Sequence, residues 1–189
     1  MDSALIVSSS GKGIQIISDL LNSNSKMQIS SAKSSSEARR LISDTGYDII
    51  VINAPLPDEF GDSLAVTITE ISSSGVVLIV RNEIIDDISA KVEDYGVLTI
   101  SKPIAKQVFS QTQKFALAYK KRILMLKNEN ISLQYKIQEI QTVTRAKCVL
   151  IQHLNMTESQ AHRYIEKQAM DTRTSRQEIA QNILKTYET

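Results

Sequence analysis

Seven polar side chains in the last third of the chain have the types and spacing to hold a polyanion: Arg145, Lys147, Arg163, Lys167, Arg173, Arg176 and Gln177. Arg163 and Lys167 lie four residues apart, so on a helix both emerge on one face. Arg145 and Lys147 flank Ala146, an alternation that puts a small apolar residue inward between two cations. The net charge of +1 hides this concentration. Residues 1–113 carry 9 Lys+Arg against 14 Asp+Glu, a net of −5, whereas residues 114–189 carry 13 against 7, a net of +6. A basic tail behind an acidic head points to nucleic acid as the first candidate partner, against the alternative of a solvated helical face. Other chemistries find little material. The single cysteine, Cys148, cannot form an internal disulfide, and His153 and His162 cannot build a metal cluster alone. Residues 1–113 contain no His and no Cys, hence no nucleophile–base pair of the usual kind, and an enzyme is the least favoured class. No metal or cofactor is expected. Ser8-Ser9-Ser10 followed by Gly11-Lys12-Gly13 looks superficially like a phosphate-cradling loop, but it lacks the G-x-x-x-x-G-K-[ST] spacing.

The elements that would position these groups follow from hydrophobic periodicity. Ala4–Val7, Met27–Ser30, Asp48–Asn53, Val76–Val80 and Val97–Ile100 read as five strands. Between them Ile14–Leu21, Ser36–Ile42, Ser63–Ile71 and Ile84–Val92 have helical spacing. Strands apolar on both faces belong in a parallel sheet covered by helices on each side, which predicts a doubly wound five-stranded α/β domain over residues 1–113. Sites in such folds lie at the C-terminal ends of the strands. No apolar run approaches the ~20 residues a membrane-spanning helix needs, and the first strand is too short, and lacks the basic flank, for a signal peptide. A cytoplasmic location is therefore expected.

Two segments of this half carry a family resemblance. Asn53-Ala-Pro-Leu-Pro57, followed by Gly61, resembles the loop after the third strand of response-regulator receiver domains, and Ser101-Lys102-Pro103 resembles their Lys-Pro step after the fifth. The similarity covers roughly residues 2–113. It implies a site with an acidic pair after the first strand to hold Mg²⁺, an Asp nucleophile after the third, a Ser/Thr after the fourth and a Lys after the fifth. This sequence places Ser8 and Ser9, Asn53, Val80 and Lys102 there. Mg²⁺ requires hard anionic oxygens, and an amide is no nucleophile for phosphoryl transfer. The expectation is a degenerate, pseudo-receiver domain with Lys102 as a structural strut, controlled by a regulatory protein or a small ligand instead of phosphorylation, or else a constitutive dimer.

From Lys106 to about Ala146 the sequence has neither Pro nor Gly, so one helix can run through. Heptads place Ala116, Ile123, Asn130 and Ile137 at a, and Tyr119, Leu126, Leu133 and Ile140 at d. β-branched residues at a with Leu at d favour two parallel strands, and one Asn at a fixes register. A homodimer joined over residues 114–143 is expected, with Ile123, Leu126, Asn130, Leu133, Ile137 and Ile140 as its contacts. The competing arrangement folds this stripe back onto the terminal helices.

Residues 131–187 read as three helices. The first continues past Ile151 and stops near Asn155; Thr157-Glu-Ser-Gln160 and Ser175-Arg-Gln-Glu178 are capping boxes opening the other two. Ala146, Val149, Leu150, Ala161, Tyr164, Ile165, Ala169, Ile179, Ala180 and Ile183 form the expected core, with Cys148 a further small core residue and His153 satisfying a helix-end carbonyl. Arg145-Ala146-Lys147 with Leu150-Ile151, Ala161, Ala169-Met170-Asp171 and Ile179-Ala180 make the segment resemble the ANTAR domain, the RNA-binding output of certain transcription antitermination regulators. Cys148 stands where that family usually has Gly, and Glu166 where Arg is common. The resemblance implies a dimer that captures stem-loops of leader transcripts, with the seven polar residues gripping phosphates and base edges, and His162 or Tyr164 able to stack on bases. Two alternatives remain: a DNA-binding helix-turn-helix, against which the expected Gln168–Arg176 connection is too long, and a pure interaction scaffold.

Overall fold

The computed structural model describes residues 2–23 and 26–187, in two compact units, Met1–Met125 and Leu126–Thr189. The first unit contains β1 (Ser3–Val7), α1 (Gly11–Asn22), β2 (Gln28–Ala32), α2 (Ser35–Asp44), β3 (Ile49–Asn53), α3 (Asp62–Ile71), β4 (Gly75–Arg81), α4 (Ile85–Val92) and β5 (Leu98–Lys102). All strand pairings are parallel, in the order β2-β1-β3-β4-β5, which is the doubly wound sheet expected from the sequence. Because side chains alternate across a strand, each strand feeds both faces. Leu5, Val7, Ile50, Ile52, Leu78 and Val80 pack with residues of α2, α3 and α4. Ala4, Ile6, Ile49, Val51, Val77 and Ile79 pack with Ile17 and Leu21 of α1 and with Phe109 and Ala116 of α5 (Lys106–Leu154).

Polar ties lock the two ends of the sheet. Asp48 accepts from the Ser3 amide at 2.7 Å and from the Lys120 ammonium at 2.6 Å, joining the start of β1 to α5. At the opposite end, Asp58 accepts from the backbone amides of Ser35 and Ser36, both at 3.0 Å, and so caps α2 from a separate loop. The opening amides of a helix carry partial positive charge and no internal partner, which is why a carboxylate settles there.

The second unit holds α5 from Leu126 onward together with α6 (Glu158–Thr172) and α7 (Arg176–Tyr187). α5 runs unbroken to Leu154, as the absence of Pro and Gly allows. Thr157 and Gln160 form the full reciprocal capping box of α6, and the Ser175 hydroxyl accepts from the Glu178 amide of α7 at 3.1 Å. The core is Ala146, Val149, Leu150, Ala161, Ile165, Ala169, Ile179, Ala180 and Ile183. Two expected members are absent from it. Tyr164 is 38% exposed and Cys148 is exposed, because both lie off the inward stripes of their helices. The link between α6 and α7 also differs from expectation: α6 continues to Thr172, leaving only Arg173–Ser175 as connection. The length objection to a helix-turn-helix therefore falls.

Candidate nucleic-acid interface and the strand-end cleft

Ser8, Asn53 and Lys102 meet at the C-terminal ends of β1, β3 and β5. Asn53 Nδ2 donates to Ser8 Oγ at 2.9 Å, and the Lys102 ammonium donates to the Ala54 carbonyl at 2.5 Å. Burial and the nearby positive charge of Arg81 hold the Lys102 pKa below its ordinary value. Ser9 is exposed, and Val80 is fully buried in the core beside α3 and α4. Asn53 Oδ1 is buried with no hydrogen-bond partner among the described residues. Gly13, in the first turn of α1, comes so close that a Cβ there would stand 2.7 Å from Asn53 Nδ2 and 2.9 Å from Ser8 Oγ. A cleft of about 470 Å³ opens over this cluster, lined by Ser10, Lys12, Gly13, Ile16, Ile17, Asn53, Lys102 and Ile104. Its lining includes two cations and no carboxylate, so it does not fit Mg²⁺, whose ligands are hard anionic oxygens. No group of three or more His, Cys, Asp or Glu among the described residues is placed to hold a metal.

The second unit divides the basic residues into two sets. Arg163 and Lys167 are exposed on the outer face of α6, and Arg173 is exposed in the turn that follows. Among the described residues none of these three has an acidic partner within ion-pair distance. Lys147 and Arg176 are engaged. Lys147 contacts Glu158 at 2.7 Å with its side chain only 19% exposed, and Arg176 contacts Glu139 at 3.3 Å and Glu166 at 3.9 Å. Arg145 is exposed on α5, and Gln177 is half-buried on α7. Tyr164 and Met170, both exposed, share the outer side of α6 with Arg163 and Lys167.

Residues 132–184 match the ANTAR domain family. The C-terminal unit is an ANTAR domain. The first unit matches receiver domains of known structure. One is the signal receiver domain of an HD domain-containing protein from Pseudomonas fluorescens Pf-5, with a TM-score of 0.59 and 21% identity over 66% of this chain and 92% of that one. Another is a response regulator receiver domain protein from Clostridium thermocellum, with a TM-score of 0.59 and 19% identity over 65% of this chain and 99% of that one. These structural likenesses show the fold alone. Over 145 residues the chain is 26% identical to the transcriptional regulatory protein PdtaR of Mycobacterium tuberculosis, spanning 75% of this chain and 69% of that protein. Residues 132–184 are thus an ANTAR domain, with a receiver-like fold before it.

Within the ANTAR domain, Glu166 lies 3.3 Å from His162 and 3.9 Å from Arg176, so this acid draws the Arg176 guanidinium toward itself. His153 lies against the Tyr187 ring with centroids 5.2 Å apart. The expected dimer seam is exposed along α5 at Leu126, Asn130, Leu133, Ile137 and Ile140, with Ile123 half-buried. The terminal helices leave it uncovered. Ala116, the first expected a position, is instead fully buried against the sheet, and Tyr119 approaches Gly96. The exposed stripe therefore begins at about residue 123.

Proposed function

We propose that this chain is a dimeric, RNA-binding transcription regulator that acts by antitermination on stem-loops of leader transcripts, and that its receiver-like domain works without phosphorylation. The observation that carries the reading is the outer face of α6. Arg163 and Lys167 stand there without acidic partners, beside the half-exposed ring of Tyr164. Cations grip phosphates, and an amphipathic aromatic stacks on the unpaired bases that RNA loops present. The relative's name, a transcriptional regulatory protein, agrees with an output at the level of transcription.

The dimer is supported by the row of large apolar side chains from Leu126 to Ile140, too extensive for a lone surface helix. Two copies would present two ANTAR domains to two loops, raising effective affinity without new contacts. Independence from phosphorylation is supported by the cleft itself. Asn53 offers no carboxylate to phosphorylate, and Ser8 and Ser9 offer none to hold Mg²⁺. The same absence of paired catalytic groups argues against an enzyme. The residue boundaries proposed are 1–113 for the receiver-like domain, 114–143 for the dimer helix and 131–187 for the RNA-binding domain.

The short Arg173–Ser175 connection favours a second reading, duplex DNA recognition through α7. Against it, the first turn of α7 carries Glu178, and Arg176 is held by Glu139 and Glu166. Titration of the full chain against transcribed leader stem-loops and matching duplex DNA, at several salt concentrations, separates the two. RNA is expected to bind more tightly. Arg163→Glu with Lys167→Glu should weaken it by at least about tenfold and flatten the salt dependence, because each lost phosphate contact removes about 0.7 from the single-strand slope. A preference for duplex DNA, or unchanged binding by the double variant, defeats the RNA assignment.

A further inference from the structure

We infer that the cleft at the C-terminal edge of the sheet is a binding site for a small organic anion with an apolar body, and that this ligand occupies the region where a receiver would hold Mg²⁺ and a phosphoryl group. The inference deepens the proposed control without phosphorylation and rests on that reading. Four observations converge on it. The volume, about 470 Å³, lies within the range of small-molecule sites. Charge in the cleft is inverted relative to a metal site: Lys12 and Lys102 line it and no acid does. The same cleft is lined by the apolar side chains of Ile16, Ile17 and Ile104, with Ile16 left 44% exposed. Finally, α1 begins at the cleft with Gly11, has no acidic residue in its first turn, and adds the positive end of a 12-residue helix to the two ammonium groups.

Each alternative occupant fails on one of these points. A divalent cation meets two lysines and no carboxylate. Inorganic phosphate satisfies the cations but leaves the isoleucine wall against water. A carboxylate or sulfonate head between Lys12 and Lys102, with a hydrocarbon or aromatic body on Ile16 and Ile104, satisfies both halves of the lining. Lys102 already donates to the Ala54 carbonyl, so capture of an anion would draw on the ammonium that ties β5 to the loop after β3. Occupancy would thereby be felt at both strand ends.

The test uses the uniformly ¹⁵N-labelled full chain titrated with octanoate, with octyltrimethylammonium as the chain-matched cation, and with inorganic phosphate. Octanoate is expected to shift the amide resonances of Gly11, Gly13 and Asn53 saturably, and the other two probes to leave them in place. Lys12→Glu should weaken octanoate at least tenfold. Ile16→Glu, at an exposed position that leaves the core intact, should weaken it comparably. Absence of saturable octanoate shifts, equal shifts with the cation, or insensitivity to both substitutions overturns the site. Phosphate alone reproducing the shifts overturns the organic character of the ligand. Separately, the chain is incubated with Mg²⁺ and acetyl phosphate and weighed by mass spectrometry. A phosphate adduct on the intact protein would sink the reading on which this inference rests, whatever octanoate does.

Discussion

Two carboxylates at opposite ends of the sheet tie the first unit to pH in the same direction. The Asp58 pKa is held well below the usual carboxylate range, first by the backbone amides of Ser35 and Ser36 and then by their hydroxyls. Burial pushes Asp48 up, yet the ammonium of Lys120 and the amide and hydroxyl of Ser3 outweigh it and leave the value lowered. Both folded values lie below the unfolded one of about 3.9, so each stabilises the fold above that pH and ceases to as pH falls through the folded value. Urea unfolding should therefore show stability nearly flat from neutrality to about pH 5 and declining below about pH 4, with Asp58→Asn shallowing the acid decline. An unchanged acid limb in that variant would remove Asp58 from the account. Neither effect was legible from the sequence. Asp58 lies 22 residues from Ser36, and only the loop after β3 brings them together.

Among the elements, α5 changes role along its length. Its first turns belong to the sheet: Ala116 is buried so tightly that a Cβ on Gly75 would stand 2.5 Å from the Ala116 carbonyl oxygen. Backbone cannot yield as a side-chain tip can, so Gly75→Ala should cost about 1–3 kcal/mol in chemical denaturation. Farther along, the same helix exposes its seam. Leu133→Asp should shift the chain from dimer to monomer in light scattering. Asn130→Ile should relax the choice of two strands toward higher oligomers, because a lone polar a residue fixes that number. A single invariant mass across both variants would refute the seam. The heptad pattern made the stripe readable but not its beginning, since Ala116 suits a coiled-coil position and a sheet contact equally well. Phase explains the misplaced aromatic too. Tyr164 adjoins the inward residue Ile165 in sequence, yet a helix turns about 100° per residue and carries its ring toward Lys167. The pattern of small residues Ala146, Ala161, Ala169 and Ala180 was legible because each sits where helices approach closely, and all four are buried.

At the scale of the whole molecule, the chain joins a receiver-like unit to an ANTAR unit, and the charge partition between residues 1–113 and 114–189 was visible from composition alone, although Lys114, Lys120, Lys121 and Arg122 of the basic part belong to the first unit. Which cations remain available was not. Lys147 and Arg176 are spent on Glu158, Glu139 and Glu166, pairings that no local spacing announces. That leaves Arg173 unusually valuable. It ends α6 at φ 55 and ψ 37, a left-handed conformation that glycine normally occupies at a helix terminus. A β-carbon there costs about 1–2 kcal/mol. Arg173→Gly should accordingly melt at a higher temperature in calorimetry while holding its transcript less tightly. Robustness and output would then pull against each other at a single hairpin bend, and selection for a sturdier protein would erode the grip proposed for it.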